Sequence, residues 1–368
     1  MSLTIRRWSA DEWHAQHAAW DELLARSASD RLFLSSGWLT TWWKWFGGRR
    51  RKLHVLGVYR GTELVGAAPL YRQTTTRRMM PVRSLQFIGT AWRDPRALIS
   101  EYMDFIAVRG LEREVRGALL DHLLAAGGWT ELLIGYGRDP EGWLSALANS
   151  PGAAGTYCRA TEHCLSHQAD LSNGFAEYLG LLGQSTRRSL YHLRRRLASP
   201  GNVQLEHVTA QEMPSAFEEF NALHQRRWGQ PAFTRERLAF HVELAQTLAP
   251  RGEVAFSRLR VDGNTVSMLY DLRKGSRQYN LKMAFDPDTE RRFSLGLIHL
   301  GYAMERAAND GIGAYDFLAG PGQRTDFKGH LSQGREPLAT VQLLRGPFLP
   351  RLYRWYDLSG RANYRRTP

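Results

Sequence analysis

The stretch from residue 253 to 320 leaves the chain least freedom. Two runs rich in aliphatic residues, VAFSRLRV and VSMLYDLR, flank Asp262-Gly263-Asn264, and a Gly in so short a connection marks a tight hairpin turn. A second turn, Lys274-Gly275-Ser276, leads into a third strand at 278–285. Residues 294–309 then carry apolar side chains at helical spacing, and 314–318 closes as a strand. Three turn-linked strands, a helix and one more strand predict an α/β (α+β) unit, a mixed, mainly antiparallel sheet flanked by helices.

The chain has 368 residues, more than one ordinary core accommodates, so two domains are expected. The first half has a similar order: a hairpin at 52–59 and 64–72 around Arg60-Gly61-Thr62, strands at 84–88 and 102–108, a helix at 111–126 and a strand at 131–136. LHVLGVYRGTELVGAAPLYR and VAFSRLRVDGNTVSMLYDLR lie over each other with Gly61 on Gly263 and Leu64 on Val266, which argues for internal duplication. Turn formers between 137 and 157 place the junction near 165. The expectation is therefore two tandem units, 1–165 and 166–368, the second with helices inserted at 174–182, 185–198, 211–228 and 234–248. Ahead of the first hairpin a helix is expected at 11–28, and Trp38, Trp42 and Trp45 repeat at helical spacing as a core-facing stripe.

Charge narrows the partners. The 49 Lys and Arg against 36 Asp and Glu give a net +13, which attracts cofactor phosphates, nucleic acid, an anionic polymer or a membrane surface. The closing segment FLPRLYRWYDLSGRANYRR mixes aromatics with Arg and suits either the last two of these or simple packing as a final helix. No run approaches the roughly 18 apolar residues of a membrane span, and MSLTIRRWSADEW lacks a secretory core, so a cytoplasmic location is expected. Cys158 and Cys164 read as free thiols, and His163 with His167 lacks a third ligand, so no metal is expected. There is no Gly-x-Ser-x-Gly elbow, His-Glu-x-x-His pair or Walker loop.

The candidate chemistry lies after the third strand. A helix starting at Ser294 leaves backbone N–H groups unpaired at a positive dipole end, which suits a pyrophosphate. Leu295 and Gly296 would bring that backbone close, and Arg291 and Arg292, on an expected polar loop, would add charge. Asp316, a strand carboxylate, could orient an attacking amine or accept its proton, or it could anchor Arg and backbone N–H groups; Tyr270 and Asp271 are candidates for the same work. Arg187, Arg188, Arg194, Arg195 and Arg196 interleave with Leu190, Leu193 and Leu197 as a basic amphipathic helix, either a solvated face or a collar for phosphates.

The basic helix STRRSLYHLRRRL, the helix end HQRRW at 224–228, the Asp262-Gly263 hairpin, FSLGL from Phe293 and YDFLAG from Tyr315 occur in an order that resembles a known family. From about 184 to 335 the chain looks like the acetyltransferase domain called BioF2-like or CelD-like, within the GNAT superfamily and related to the Fem peptidyltransferases. The resemblance implies two tandem GNAT-like units, the first degenerate, and direct transfer of an acyl group to an amine from a phosphorylated acyl donor, acyl-CoA or aminoacyl-tRNA. It also singles out Phe327-Lys328, since Fem-like proteins carry a Phe-Lys pair after the last motif; Lys328 is then expected to hold a donor phosphate or the developing oxyanion. Arg188, Arg195, Trp228, Asn280, Lys282 and Phe327 are the accompanying substrate contacts. AGPGQR stands where the family has acidic residues, which removes any acceptor contact made by those acids. Three functions stay open: an acyl-CoA-dependent N-acyltransferase acting on an amino sugar or surface polysaccharide component, an aminoacyl-tRNA-dependent transferase, and an inactive binding module.

Overall fold

The computed structural model describes residues 2–29, 31–77, 80–198, 202–320 and 327–359. Two compact units emerge, Met1–Cys164 with Pro337–Pro368, and Leu165–Glu336.

The first unit opens with β1 (Leu3–Arg7), α1 (Ala10–Ala15), α2 (His17–Ala25) and α3 (Ser36–Trp42). Ser9 Oγ accepts from Glu12 N at 3.1 Å while Glu12 accepts from Ser9 N at 2.6 Å, a capping box that starts α1. The single helix expected at 11–28 is divided at Gln16. Trp38 and Trp42 are buried, but Trp45 is 37% exposed: α3 ends at Trp42 and continues as a π-helical turn, Trp43–Gly47, whose wider spacing carries the third Trp out of line. Next come β2 (Arg51–Leu53), β3 (Leu56–Arg60), β4 (Glu63–Ala68), β5 (Leu70–Arg77), β6 (Met80–Phe87), β7 (Ile106–Ala107), α4 (Glu112–Ala126), β8 (Glu131–Arg138) and α5 (Pro140–Ala148). The turn-rich stretch thus contains a helix, begun by Pro140 at its first position and by Asp139, whose Oδ1 accepts from Gly142 N at 3.0 Å. β9 (Tyr157–Asp170) places its last six residues in the second unit.

The second unit continues with α6 (Phe175–Leu181), α7 (Gln184–Arg187), a π-helical turn at Arg188–His192, α8 (Leu193–Ala198), β10 (Val203–His207), α9 (Met213–Trp228) and α10 (Arg235–Leu248). Then follow β11 (Val254–Val261), β12 (Asn264–Lys274), β13 (Arg277–Phe285), α11 (Pro287–Phe293), α12 (Leu295–Asn309), β14 (Ala314–Asp316) and α13 (Lys328–Leu331). Its strands lie in the order β10-β11-β12-β13-β14-β9, all antiparallel except β13 with β14. Where a polar loop was expected, α11 is helical: Asp286 Oδ2 accepts from Thr289 N at 3.0 Å and Pro287 sits where its missing N–H costs nothing.

The chain ends with β15 (Gly334–Leu344) and α14 (Leu349–Leu358). The sequence placed 337–368 in the second unit; these residues instead complete the first, because Leu338–Leu344 finds an antiparallel partner in β8. α14 docks through Leu349 against Val82 and Leu344, and Asp357 accepts from Tyr157 and Arg159 at 2.8 and 2.7 Å.

The two units share one building plan. In each, a first strand pairs antiparallel with the first strand of a hairpin after intervening helices, β1 with β3 and β10 with β11. Each hairpin turns through two residues, Gly61-Thr62 and Asp262-Gly263, and each is bulged, at Val65 and at Val266. The aligned positions are one residue off those read from sequence: Gly61 falls on Asp262, not Gly263, and Val65 on Val266. Gly61 and Asp262 both take positive φ, +63° and +49°, so the turn demands a left-handed first residue, which Gly and Asp supply differently.

Candidate acyl-transfer site

β13 and β14 pair only over Arg277–Tyr279 and Ala314–Asp316, while β13 runs on to Phe285. Beyond Tyr279 the ladder is therefore open. At the same place β13 is bulged: Tyr270 pairs with Lys282 and Asp271 with Asn280, so Leu281 has no partner and the strand bends. α12 connects the two parting strands and starts beside the opening.

Asp271 holds the closed end of the ladder together. It is fully buried and accepts from Tyr315 Oη at 2.5 Å, Gln278 Nε2 at 2.6 Å and Asn280 Nδ2 at 2.8 Å. Burial raises its pKa to about 6 even though these donors pull it down. Asn280, expected to contact substrate, is thus engaged in fixing Asp271 across the bulge.

Asp316 and Lys328, two of the predicted catalytic residues, meet on one backbone residue. Leu318 is left-handed, φ +58°, and its N–H donates to Asp316 Oδ1 at 2.8 Å while its carbonyl accepts from Lys328 Nζ at 3.0 Å. Lys328, 6% exposed, also donates to the Ala319 carbonyl at 3.4 Å, and Asp316 pairs with Arg277 at 3.2 Å. Both ions are buried and clamp a backbone turn that an L-residue adopts only when held. Phe327, which precedes Lys328, packs against the core formed by Leu269, Leu300 and Met304.

Tyr270 lies fully buried among Phe217, Phe233, His241 and Phe256, its Oη without a hydrogen-bond partner among the described residues. Burial pushes the phenol far above its ordinary range, so it stays protonated and suits donation, not proton abstraction. Lys282 shares its sheet face, and desolvation lowers the pKa of that ammonium.

At the start of α12, Ser294 is left-handed, φ +54°, and its side chain does not cap the helix. Leu295 and Gly296 are buried, and a Cβ on Gly296 would stand 3.1 Å from the Phe285 ring, a tight contact that packing against Phe285 by itself accounts for. Arg227 also packs on that ring, its guanidinium 3.8 Å from the Phe285 ring centroid and 4.9 Å from that of Trp228. Arg227 was not singled out from sequence, although HQRRW contains it; Trp228, which was, is half exposed. The side chains of Arg291 and Arg292 lie outside the described residues.

The basic helix divides its arginines. Arg188, Arg195 and Arg196 are exposed, whereas Arg194 is buried, paired with Glu305 and set 3.9 Å from the Tyr302 ring and 4.7 Å from the Tyr191 ring. Leu190 and Gly301 explain the seating: a Cβ at 301 would come within 2.2 Å of the Leu190 carbonyl oxygen, so only glycine lets these helices approach. His299 is also structural. It is fully buried between Ser257 Oγ at 2.9 Å and Ser267 Oγ at 2.8 Å, and burial drives its pKa down to about 3. Among the described residues no His, Cys, Asp and Glu group could hold a metal ion, and no helix is long and apolar enough to cross a membrane.

A bulged strand, a parallel neighbour parting from it and a helix start beside the gap thus lie together in the second unit. Residues 184–329, which contain every one of these elements, match the family model described as an acetyltransferase (GNAT) domain. FemX is similar over nearly the whole chain, with a TM-score of 0.61 at 13% identity, covering 96% of this chain and 99% of that one. A conserved protein of unknown function from Bacteroides thetaiotaomicron follows at 0.56 and 10%, covering 94% and 100%. L-PGS from Bacillus licheniformis has 0.51 and 10%, covering 98% and 99%. No curated protein sequence matches this chain.

Proposed function

We propose that the chain is an N-acyltransferase that moves an acyl group from acyl-CoA to an amine by direct attack, in the modification of an amino sugar or a surface polysaccharide component. The observation that carries this reading is the GNAT acetyltransferase domain match over 184–329, which encloses the opening between β13 and β14 and the start of α12. The donor's phosphates would sit on the backbone of Ser294, Leu295 and Gly296, with Arg291 and Arg292 adding charge. The acceptor nitrogen attacks the thioester carbonyl, the C–S bond breaks, and the amine's proton ends on the leaving thiolate. Tyr270, kept protonated by burial, would donate a hydrogen bond to that sulfur without giving up its own proton. Lys328 would set positive charge near the oxyanion, and Asp316 would keep Leu318 and Arg277 in position.

A second reading, transfer from aminoacyl-tRNA, is favoured by the whole-chain likeness to FemX and by the net charge of +13. Binding of acetyl-CoA, a longer acyl-CoA and charged tRNA, measured at two salt concentrations on wild type and Lys328→Ala, separates the two. Saturable CoA binding with product formation supports the first; steeply salt-dependent binding of charged tRNA with no response to any CoA overturns it.

A further inference from the structure

On the sheet face of the second unit that α9 and α10 cover, three polar groups come together without partners. Tyr270 Oη and His241 Nδ1 are buried and make no hydrogen bond among the described residues. Lys282, partly buried, makes no ion pair among the described residues. Tyr270 and Lys282 are direct cross-strand partners, so their side chains leave the same face, and the Tyr270 ring meets His241 edge-on at 5.4 Å.

The charges that reach Lys282 and His241 are cationic, while Tyr270 also feels the neighbouring Asp271 carboxylate, which is already engaged with Tyr315, Gln278 and Asn280. Arg237 of α10 lowers the Lys282 pKa, and Lys282 in turn lowers those of His241 on α10 and His224 on α9. No carboxylate enters the balance at Lys282. Desolvating an ammonium without a counter-charge is costly, as is burying a phenol and an imidazole without partners. One acceptor reaching all three groups would offset these costs.

We infer that this face binds an organic carboxylate, held by Lys282 Nζ, with Tyr270 Oη and His241 Nδ1 donating to its oxygens. A carboxylate fits better than a phosphate. Burial keeps His241 neutral, so Lys282 contributes one formal charge at the cluster, which balances one carboxylate. The rings packed around Tyr270 are those of Phe217, Phe233 and Phe256, apolar neighbours that suit the carbon body of an organic acid. Assigning that acid to a substrate rests on the acyl-transfer reading; the binding itself does not.

Calorimetry on the full chain, with no acyl donor present, tests the binding. The probes are phenylacetate, succinate and glutamate, each against its amide. At least one carboxylate is expected to bind tenfold or more tighter than its amide, Lys282→Met to abolish that preference, and Tyr270→Phe to weaken it severalfold. Lys282→Met keeps the side chain's length while removing an unpaired charge, so it is expected to melt no lower than wild type. Succinyl-CoA against butyryl-CoA then distinguishes a carboxylate on the acyl group from one on the acceptor. The proposal is overturned if no carboxylate is preferred to its amide, or if the preference survives in Lys282→Met. Inactivity with every donor would count against the acyl-transfer reading and leave this measurement standing by itself.

Discussion

Replacing Gly301 with alanine sets two effects of opposite sign against each other. In a helix interior alanine is favoured over glycine by about 1 kcal/mol. At Gly301, however, the new methyl would stand 2.2 Å from the Leu190 carbonyl oxygen and 2.9 Å from Arg194 Nη2, where ordinary contact begins at 3.4 Å. The shortfall against Leu190 is more than 1 Å, taking 2.2 from 3.4. Arg194 is a side chain and can shift, but the oxygen belongs to backbone in the π-helical turn Arg188–His192, so α12 itself must withdraw. Withdrawal loosens Leu190, Leu300 and Met304, which share one core, and strains the Arg194–Glu305 pair. Overpacking of this kind costs about 2–4 kcal/mol, leaving a net loss of about 1–3 kcal/mol once propensity is deducted. In a unit of this size that lowers Tm by roughly 2–12 °C. Urea titration and calorimetry measure it, with Gly180→Ala as the control, because a Cβ at 180 meets nothing within 4 Å and should leave stability unchanged or raised. If Gly301→Ala is as stable as wild type, the close approach of the helices is wrong.

Asp271 has a folded pKa of about 6, above its ordinary carboxylate value, so the stability tied to its protonated form is complete below about pH 4 and is lost as pH rises through 6. The gap of about two units corresponds to about 3 kcal/mol, and Asp271→Asn should flatten that slope; an unchanged profile between pH 4 and 7 would count against the buried hub. Asp104 in the first unit, also raised to about 6 by burial, should titrate in the same window, so the double variant Asp104→Asn/Asp271→Asn should lose more of the slope than either alone. Lys328→Met leaves the Leu318 and Ala319 carbonyls without their ammonium and should cost about 2–3 kcal/mol in urea unfolding; if the ammonium also serves the oxyanion, kcat falls at least a hundredfold while the donor's KM holds. Arg291→Ala with Arg292→Ala should raise the donor's KM about tenfold with kcat retained, and an unchanged KM would remove both from the donor cradle.

The strand–turn–strand core of the second unit was legible because its turns carry their own chemistry: Asp262-Gly263 can hardly do anything but reverse the chain. The hairpin repeat was legible for the same reason, but its register was not. A sequence alignment matches Gly to Gly, whereas the structures match left-handed positions, and Asp262 does the work of Gly61. The basic helix shows another limit. Five arginines look alike in sequence, yet Arg194 is a buried clamp and Arg195 faces solvent, because only the former points at Tyr302 and Glu305. Lys328 and Asp316 were found through resemblance and strand position; their joint hold on Leu318 depends on a backbone angle that no side-chain pattern announces. β15 was missed although PLATVQLL reads as an apolar run, since what makes it a strand of the first unit is a partner two hundred residues away in sequence, roughly the distance at which loop closure leaves no local trace.

That late strand sets the order in which the protein can be finished. A ribosome delivers Leu165–Glu336 as one uninterrupted segment, but the first unit has to wait, with β8 made early and its antiparallel neighbour made last. Until Leu338–Leu344 emerges, Leu132, Leu133 and Ile134 lie on a strand with one side unzipped, the sort of edge that recruits other nascent chains. Slow translation of the final segment, or a stop codon ahead of it, would therefore be felt first as aggregation of the N-terminal half, far from the lesion.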